Sequence, residues 1–450
     1  MRKDKIERVL FYHGHIRGLR TTLIGHLYEL SQVYPVLLLS DGLDRETETI
    51  IRDKKLFPKL ERIIFVDRPE YSKKRILRKS RDLCRSLKKI INTYRPDVVI
   101  TPNDLFPSFL YLMRFARRIN ALNLCIQASL DLGSFQVRLE GDLTNAYLKF
   151  PIFLPRFLRL FLVRCRNYCG HLLYYWILPM LVGQMPFLGK SSFILRKGGS
   201  GLRDSDYQIV FSQREYNLYR ESGVPTERLY ILKHPLARQP TRDFFRKALL
   251  GGKEDNADRK TAVLLLPSDD IGFRRKDLSF IPEKERREER IRIIKIVIEA
   301  FQDWKIFVKP HPNYKNYEEI KGVFESLSDS VKVVDPQDSS DKYIKESEVV
   351  IGLPRSASTA LFTASLLFPE KAILSLDFQG ELLGDSYKDF AGVEYIDNEK
   401  KLIEMLSLIS NGKYQKIVEK KLQKEEDFAN TIEMLNSLFN QKHHIVKKQI

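Results

Sequence analysis

Short apolar runs alternating with longer amphipathic stretches predict an α/β protein built from two doubly wound parallel sheets. The runs are apolar on both faces, as strands covered by helices on both sides must be. The pattern is also written twice, once before residue 130 and again after residue 260. Between the copies, RQPTRDFFRKALLGGKEDNADRK (Arg238 to Lys260) is polar, with a proline, a Gly-Gly pair and mixed charge, and so reads as the connection.

In the first copy the strand candidates are RVLFY (Arg8 to Tyr12), VLLL (Val36 to Leu39), RIIFV (Arg62 to Val66), DVVIT (Asp97 to Thr101) and NLCIQ (Asn123 to Gln127). Helix patterns lie between them, notably Leu19 to Gln32 and Lys73 to Tyr94, where apolar residues recur every three or four positions. In the second copy the strands are AVLLL (Ala262 to Leu266), KIFVK (Lys305 to Lys309), VKVV (Val331 to Val334), VVIG (Val349 to Gly352) and AILS (Ala372 to Ser375). Helices are expected over Glu283 to Phe301, Tyr314 to Leu327, Asp341 to Glu346 and Ser356 to Leu367. Strand, helix, strand repeated with right-handed crossovers makes a Rossmann-like sheet. The expected organisation is therefore a first domain over 1–147, an apolar insertion over 148–200, a return to the first domain over 201–237, a linker over 238–260, a second domain over 261–412 and a helical tail over 413–450 that returns toward the N-terminal half.

At 450 residues and 43% hydrophobic content the chain can bury real cores, which excludes a disordered or fibrous protein. Lys and Arg number 76 against 58 Asp and Glu, a formal net charge of +18 that favours polyanionic or phosphorylated partners. Four cysteines are too few for a disulfide scaffold, and Cys84 and Cys125 fall in a helix pattern and a buried strand, which fits a reducing cytoplasm. The N-terminus passes from charge straight into a strand-like run, unlike a signal peptide. The stretch Leu148 to Gly189 is first apolar with interspersed arginines and then uncharged from Asn167, with Pro179, Gly183, Gln184 and Pro186 inside it and basic residues on both flanks. Apolar residues bounded by cations suit a segment lying in an anionic membrane interface; a buried helical hairpin and a spanning helix are the alternatives.

The chemistry is expected at the carboxyl ends of the strands, where doubly wound sheets bind ligands. In WKIFVKPHPN, Pro310 and Pro312 restrict the backbone around His311 and remove their own N–H groups, leaving the imidazole as the principal donor. In VVIGLPRSASTAL, Arg355, Ser356, Ser358 and Thr359 stand where a strand gives way to a helix, and hydroxyls with free backbone N–H groups at a helix start form an anion site. The two motifs are expected to meet one phosphate from neighbouring strand ends. Ser268 (in VLLLPSDD) and Lys309 are further cleft candidates. In the first half, YHGHIRGLR offers His13, His15, Arg17 and Gly18, and TPNDLFP offers Asp104, each past a strand end. Cys165, Cys169 and His171 have C-x3-C-x-H spacing without a fourth ligand, so no metal is expected. EKERREERIRIIKIVIEAF alternates charge as a solvated helix face does.

The run FSQREYNLYRESGVPTERLYILKHP (Phe211 to Pro235), with VLLLPSDD, VKPHPN and IGLPRSASTAL after it, resembles the two-domain GT-B glycosyltransferases of bacterial surface and capsular polysaccharide synthesis. It is most similar to the HP-motif branch that includes sialyltransferases and polysialyltransferases, and more distantly to CDP-glycerol glycerophosphotransferases. That resemblance implies two Rossmann-like domains facing a central cleft, with the helical apolar insertion carried by the first. It also implies that His311, Ser358 and Thr359 hold the phosphate of a nucleotide-activated donor, often CMP-linked in that branch. The branch uses an acidic base in the N-terminal domain. Asp131-Leu132-Gly133 keeps one acid and the glycine of its usual pattern, which makes Asp131 the first candidate base and His13 or His15 the second. LFTAS supplies no acid after the serine motif to read a ribose, so the base of the nucleotide stays open.

The sequence thus leads us to expect a metal- and cofactor-independent glycosyltransferase, peripheral at the cytoplasmic face of a bacterial membrane. Its partners would be a nucleotide-sugar donor, a saccharide or lipid-linked acceptor and an anionic membrane surface. A sugar-nucleotide epimerase of the same architecture and a catalytically degenerate membrane-associated binder are the alternatives. Nucleic acid is not expected as a partner, since no RNA-recognition strand pattern or helix-turn-helix is present.

Overall fold

The computed structural model describes residues 5–16, 22–43, 45–67, 76–102, 107–127, 177–184, 204–221, 223–250, 260–267, 281–312, 314, 316–353, 359–380, 387–388, 390, 392–414 and 427–448. They divide into two compact units, one drawn from the described residues of 1–136, 150–241 and 425–450, the other from those of 242–424.

The first unit holds a seven-stranded sheet in the order β3-β2-β1-β4-β5-β6-β7. Its strands are β1 (Val9–Ile16), β2 (Val36–Leu43), β3 (Leu60–Phe65), β4 (Val98–Thr101), β5 (Leu122–Ile126), β6 (Tyr207–Val210) and β7 (Leu229–Ile231). All neighbouring pairs run parallel. Its helices are α1 (Thr22–Val33), α2 (Arg45–Arg52), α3 (Ile76–Tyr94), α4 (Pro107–Arg118), the single turn α5 (Leu178–Leu181) and α6 (Gln213–Glu221). The strands form because both their faces are covered: Val9 to Tyr12 and Val98 to Ile100 are all at most 1% exposed. Helices α3 and α4 close one face with Leu83, Leu87, Ile91, Phe109, Leu112 and Phe115.

The second unit repeats the plan with six strands in the order β10-β9-β8-β11-β12-β13, again all parallel. These are β8 (Thr261–Leu266), β9 (Lys305–Pro310), β10 (Val331–Val333), β11 (Val349–Gly352), β12 (Ala372–Leu376) and β13 (Glu394–Ile396). Helix α7 (Gln239–Leu250) leads in, followed by α8 (Glu283–Ala300), α9 (Tyr317–Glu325), α10 (Ser340–Glu346), α11 (Thr359–Leu367) and α12 (Glu399–Ser410). One face is packed by Ile293, Ile294 and Val297 of α8, Phe324 of α9 and Leu402 and Leu406 of α12.

The stretch expected as a linker is partly helical, and the boundary between units falls inside α7, after Thr241. The C-terminal helix α13 (Thr431–Lys448) belongs to the first unit. It is tied there by a bridge of Phe428 to Leu232, by Asp427 accepting from the Ile231 N–H at 2.7 Å, and by Lys442 donating to Asp206 at 2.7 Å. Of the apolar stretch 148–189 only 177–184 is described, so its relation to a membrane lies outside the described residues. In that piece Val182 packs on the α3/α4 core, while Met180 and Leu181 are about half exposed, at 53% and 52%. Among the described residues no helix is long and apolar enough to cross a membrane.

Candidate active site

Each sheet reverses its strand order once, between β1 and β4 in the first unit and between β8 and β11 in the second. Side chains past the carboxyl ends of those strands line the crevice where such sheets take ligands.

In the second unit His311 follows β9 directly and is exposed. The turn that carries it is held through its own backbone. The Pro310 carbonyl accepts from Lys309 Nζ at 2.7 Å, the His311 carbonyl from the Tyr314 N–H at 2.8 Å and the Pro312 carbonyl from Gln337 Nε2 at 3.0 Å. Tyr314, only 8% exposed, anchors the far side, and its hydroxyl accepts from Arg290 of α8. Proline on either side of the histidine and three satisfied carbonyls make a rigid mount for the imidazole.

Lys309 was expected to line the cleft and does not. It is 4% exposed, and its ammonium also donates to the Pro336 carbonyl at 2.8 Å, so it braces the turn from beneath.

Residues 354–358, which include Arg355, Ser356 and Ser358, lie outside the described residues, as do Asp131, Arg17, Gly18, Asp104 and Ser268. The frame around 354–358 is described. Strand β11 ends at Gly352, the Leu353 N–H extends the ladder to the Leu265 carbonyl at 3.1 Å, and α11 opens at Thr359. Lys309 and Gly352 both lie level with Leu265, so β9 and β11 end at nearly the same height. They are not neighbours, however: β8 runs between β9 and β11. At ~4.8 Å per strand the two ends stand roughly 10 Å apart.

In the first unit His13 and His15 lie within β1, which runs on to Ile16, and not in a loop after it. His13 is 8% exposed and registers with Ser40 of β2; His15 registers with Gly42. The Ser40 hydroxyl donates to the Gly14 carbonyl at 3.0 Å and thereby ties the end of β1 to β2. The strand was underestimated because alternating His-Gly-His-Ile lacks an apolar run, yet it pairs from Val9 to Ile16 with the equally long β2.

Sequence reasoning missed two clusters on α8. Arg286, Arg287 and Arg290 line a cavity with Tyr314 and Asn316, beside the His311 turn. On the other flank Glu285, Glu288, Glu289 and Arg292 line a second cavity with Phe378 and Gln379. The alternating charge suggested a wholly solvated face, but Glu289 and Arg290 are 4% and 7% exposed. The signal was present: position 289 follows 285 and precedes 293 by one helical turn each, and Ile293 is in the core. Among the described residues no His, Cys, Asp and Glu group is arranged to hold a metal; Cys165, Cys169 and His171 lie outside them.

Two parallel sheets of this order in one chain define a two-domain α/β fold of the GT-B type. Solved structures share it over nearly the whole chain. UDP-GlcNAc 2-epimerase from Methanocaldococcus jannaschii aligns with a TM-score of 0.51 at 12% identity, covering 96% of this chain and 99% of its own. S. aureus MnaA, solved with UDP, aligns at 0.50 and 11% identity over 98% of this chain and 97% of its own. The glycotransferase of kitacinnamycin aligns at 0.50 and 11% identity over 90% and 91%. At such identities the likeness is one of fold. No protein-family model and no curated protein matches the chain, so the resemblance to the HP-motif branch has no support from sequence comparison.

Proposed function

We propose that this protein is an enzyme that binds and transforms a nucleotide-activated sugar. The observation that carries this reading is the rigidly mounted, exposed imidazole of His311 at the ligand-binding edge of the second sheet, two strands across from the end of β11. Imidazole from β9, with Arg355, Ser356, Ser358 and Thr359 between β11 and α11, would supply the donors that hold the phosphate of a nucleotide-activated sugar. Both sugar epimerisation and sugar transfer need donors on the phosphate and a base near the sugar. Asp131 is the first candidate base and His13 and His15 the second; Arg17, Gly18, Asp104 and Ser268 remain candidates for lining the site.

Epimerisation of a UDP-sugar is the reading we prefer, because the solved proteins of this fold include UDP-GlcNAc 2-epimerases and one bound to UDP. Glycosyl transfer to a lipid-linked or growing saccharide is the second reading. It is favoured by the apolar, cation-flanked stretch Leu148 to Gly189 and the net charge of +18, which an enzyme working on one soluble substrate has no use for. Under it the protein works at the inner face of a membrane.

Incubation with UDP-GlcNAc in deuterated water separates the two. An epimerase that inverts a C–H centre by removing and returning the proton carries deuterium into the sugar without an acceptor. A transferase releases UDP only when an acceptor is added. His311→Ala is expected to weaken UDP binding at least about tenfold, the loss of a hydrogen bond to a charged group. Failure of CMP, CDP, UDP and GDP alike to bind the wild-type protein overturns the whole reading.

A further inference from the structure

The cavity between α8 and the end of β12 lies outside the phosphate-binding motifs. It measures about 480 Å³ and is walled by Glu285, Glu288, Glu289 and Arg292 of α8, at i, i+3, i+4 and i+7 on one face of the helix, and by Phe378 and Gln379. Its charge is unbalanced. Three carboxylates and one guanidinium line it; Glu288 pairs with Lys284 at 3.8 Å at the exposed rim, and Arg292 pairs with Glu399 of α12. Asp377, buried at the end of β12, adds a further negative charge close enough to raise the Glu289 pKa, and the Tyr395 hydroxyl donates to it at 2.8 Å.

Glu289 is the telling residue. It is 4% exposed, and its Oε1 has no hydrogen-bond partner among the described residues. Burial, opposed by Arg292 and Arg290 and reinforced by Asp377 and Glu285, pushes its carboxyl up to about 7. A buried carboxylate oxygen without a partner costs free energy that a folded chain normally avoids, by a partner or by proton uptake. Gln379 Oε1 also lacks a partner among the described residues, and Phe378 offers an apolar face. A cation with hydroxyls beside it answers all three. The ammonium meets the carboxylates, the hydroxyls meet Gln379 and Glu288, and a ring's C–H face lies on Phe378.

We propose that this cavity is a binding site for an amino sugar, with the ligand's free ammonium on Glu289 and its ring against Phe378. The site goes beyond the nucleotide-sugar reading, and its test uses no nucleotide, so either can fail alone. Binding of the ammonium form favours ionised Glu289, and the displaced proton goes to buffer.

Calorimetric titration of the whole protein with glucosamine, N-acetylglucosamine, glucose and spermidine, near pH 7 in two buffers of different ionisation enthalpy, tests this. Glucosamine is expected to bind with proton release and N-acetylglucosamine and glucose at least about tenfold more weakly. Glu289→Gln is expected to abolish the buffer dependence and weaken glucosamine at least about tenfold. Because that substitution removes a buried charge, its melting temperature is expected to hold, and Gln379→Ala provides a second, milder loss on a part-exposed residue. Equal binding of the acetylated and free amines, spermidine binding as tightly as glucosamine, or an unchanged affinity in Glu289→Gln overturns the proposal.

Discussion

His26 shows how this chain handles a titratable group it buries. On α1 it is fully buried, stacked on Phe211 with ring centroids 5.5 Å apart, with Nδ1 2.9 Å from the Thr431 hydroxyl and Nε2 without a partner among the described residues. Burial first, then the neighbouring His234 and Arg238, hold its pKa well below 6.5. The folded protein therefore keeps it neutral while the unfolded chain protonates below about pH 6.5, so stability present above that pH is lost as pH falls. The loss approaches ~1.4 kcal/mol per pH unit for one proton. Denaturant melts at pH 7.5, 6.5 and 5.5 check this: the wild-type protein should lose stability over that range, and His26→Asn should show a shallower dependence by about one proton. Beside it the Glu29 carboxylate gathers Arg238, the Thr431 hydroxyl and, at 3.4 Å, the Thr241 hydroxyl, so one buried acid gathers partners from α7 and α13.

Among the elements, helix α1 depends on close approach. A Cβ on Gly25 would stand 2.9 Å from Pro235 Cβ, in the 3-10 turn Pro235–Ala237 whose Leu236 N–H donates to His234 Nδ1. Alanine favours a helix over glycine by ~1 kcal/mol, but a pyrrolidine ring cannot swing aside, and overpacking costs about 1–3 kcal/mol. Gly25→Ala should therefore lower the melting temperature by several degrees. By contrast a Cβ on Gly352 meets the flexible end of Leu361 at 3.0 Å, so Gly352→Ala should shift it much less; thermal melts of both check the contrast. The long buried strands were legible in the sequence because a strand apolar on both faces leaves a continuous run, as in β8 and β12. Strands β6, β7 and β13 are as short as β4, β10 and β11 but interrupt their apolar residues with tyrosine, glutamine or glutamate, so no apolar run marks them. Of the candidate site, His311 at a strand end was legible from its prolines, whereas the positions of Glu289 and Arg290 were not. Charge predicts exposure, and only the packing of α8 between α9 and α12 overrides it.

For the whole molecule, the C-terminal segment completes the first unit. Phe428, Met434, Leu435, Leu438 and Phe439 are each at most 8% exposed. At ~1.5–3 kcal/mol per buried side chain, their loss removes about 7–15 kcal/mol of burial, comparable to the ~5–15 kcal/mol net stability of a whole domain. A chain ending at Gly412 should therefore lose the cooperative unfolding transition of the first unit. Calorimetry should show that transition missing, with the transition of the second unit retained.

In the turn that presents His311, prolines fix the path and Lys309, Tyr314 and Gln337 satisfy the carbonyls. The backbone beneath the imidazole is thus set before any ligand arrives, so capturing one there costs little ordering entropy.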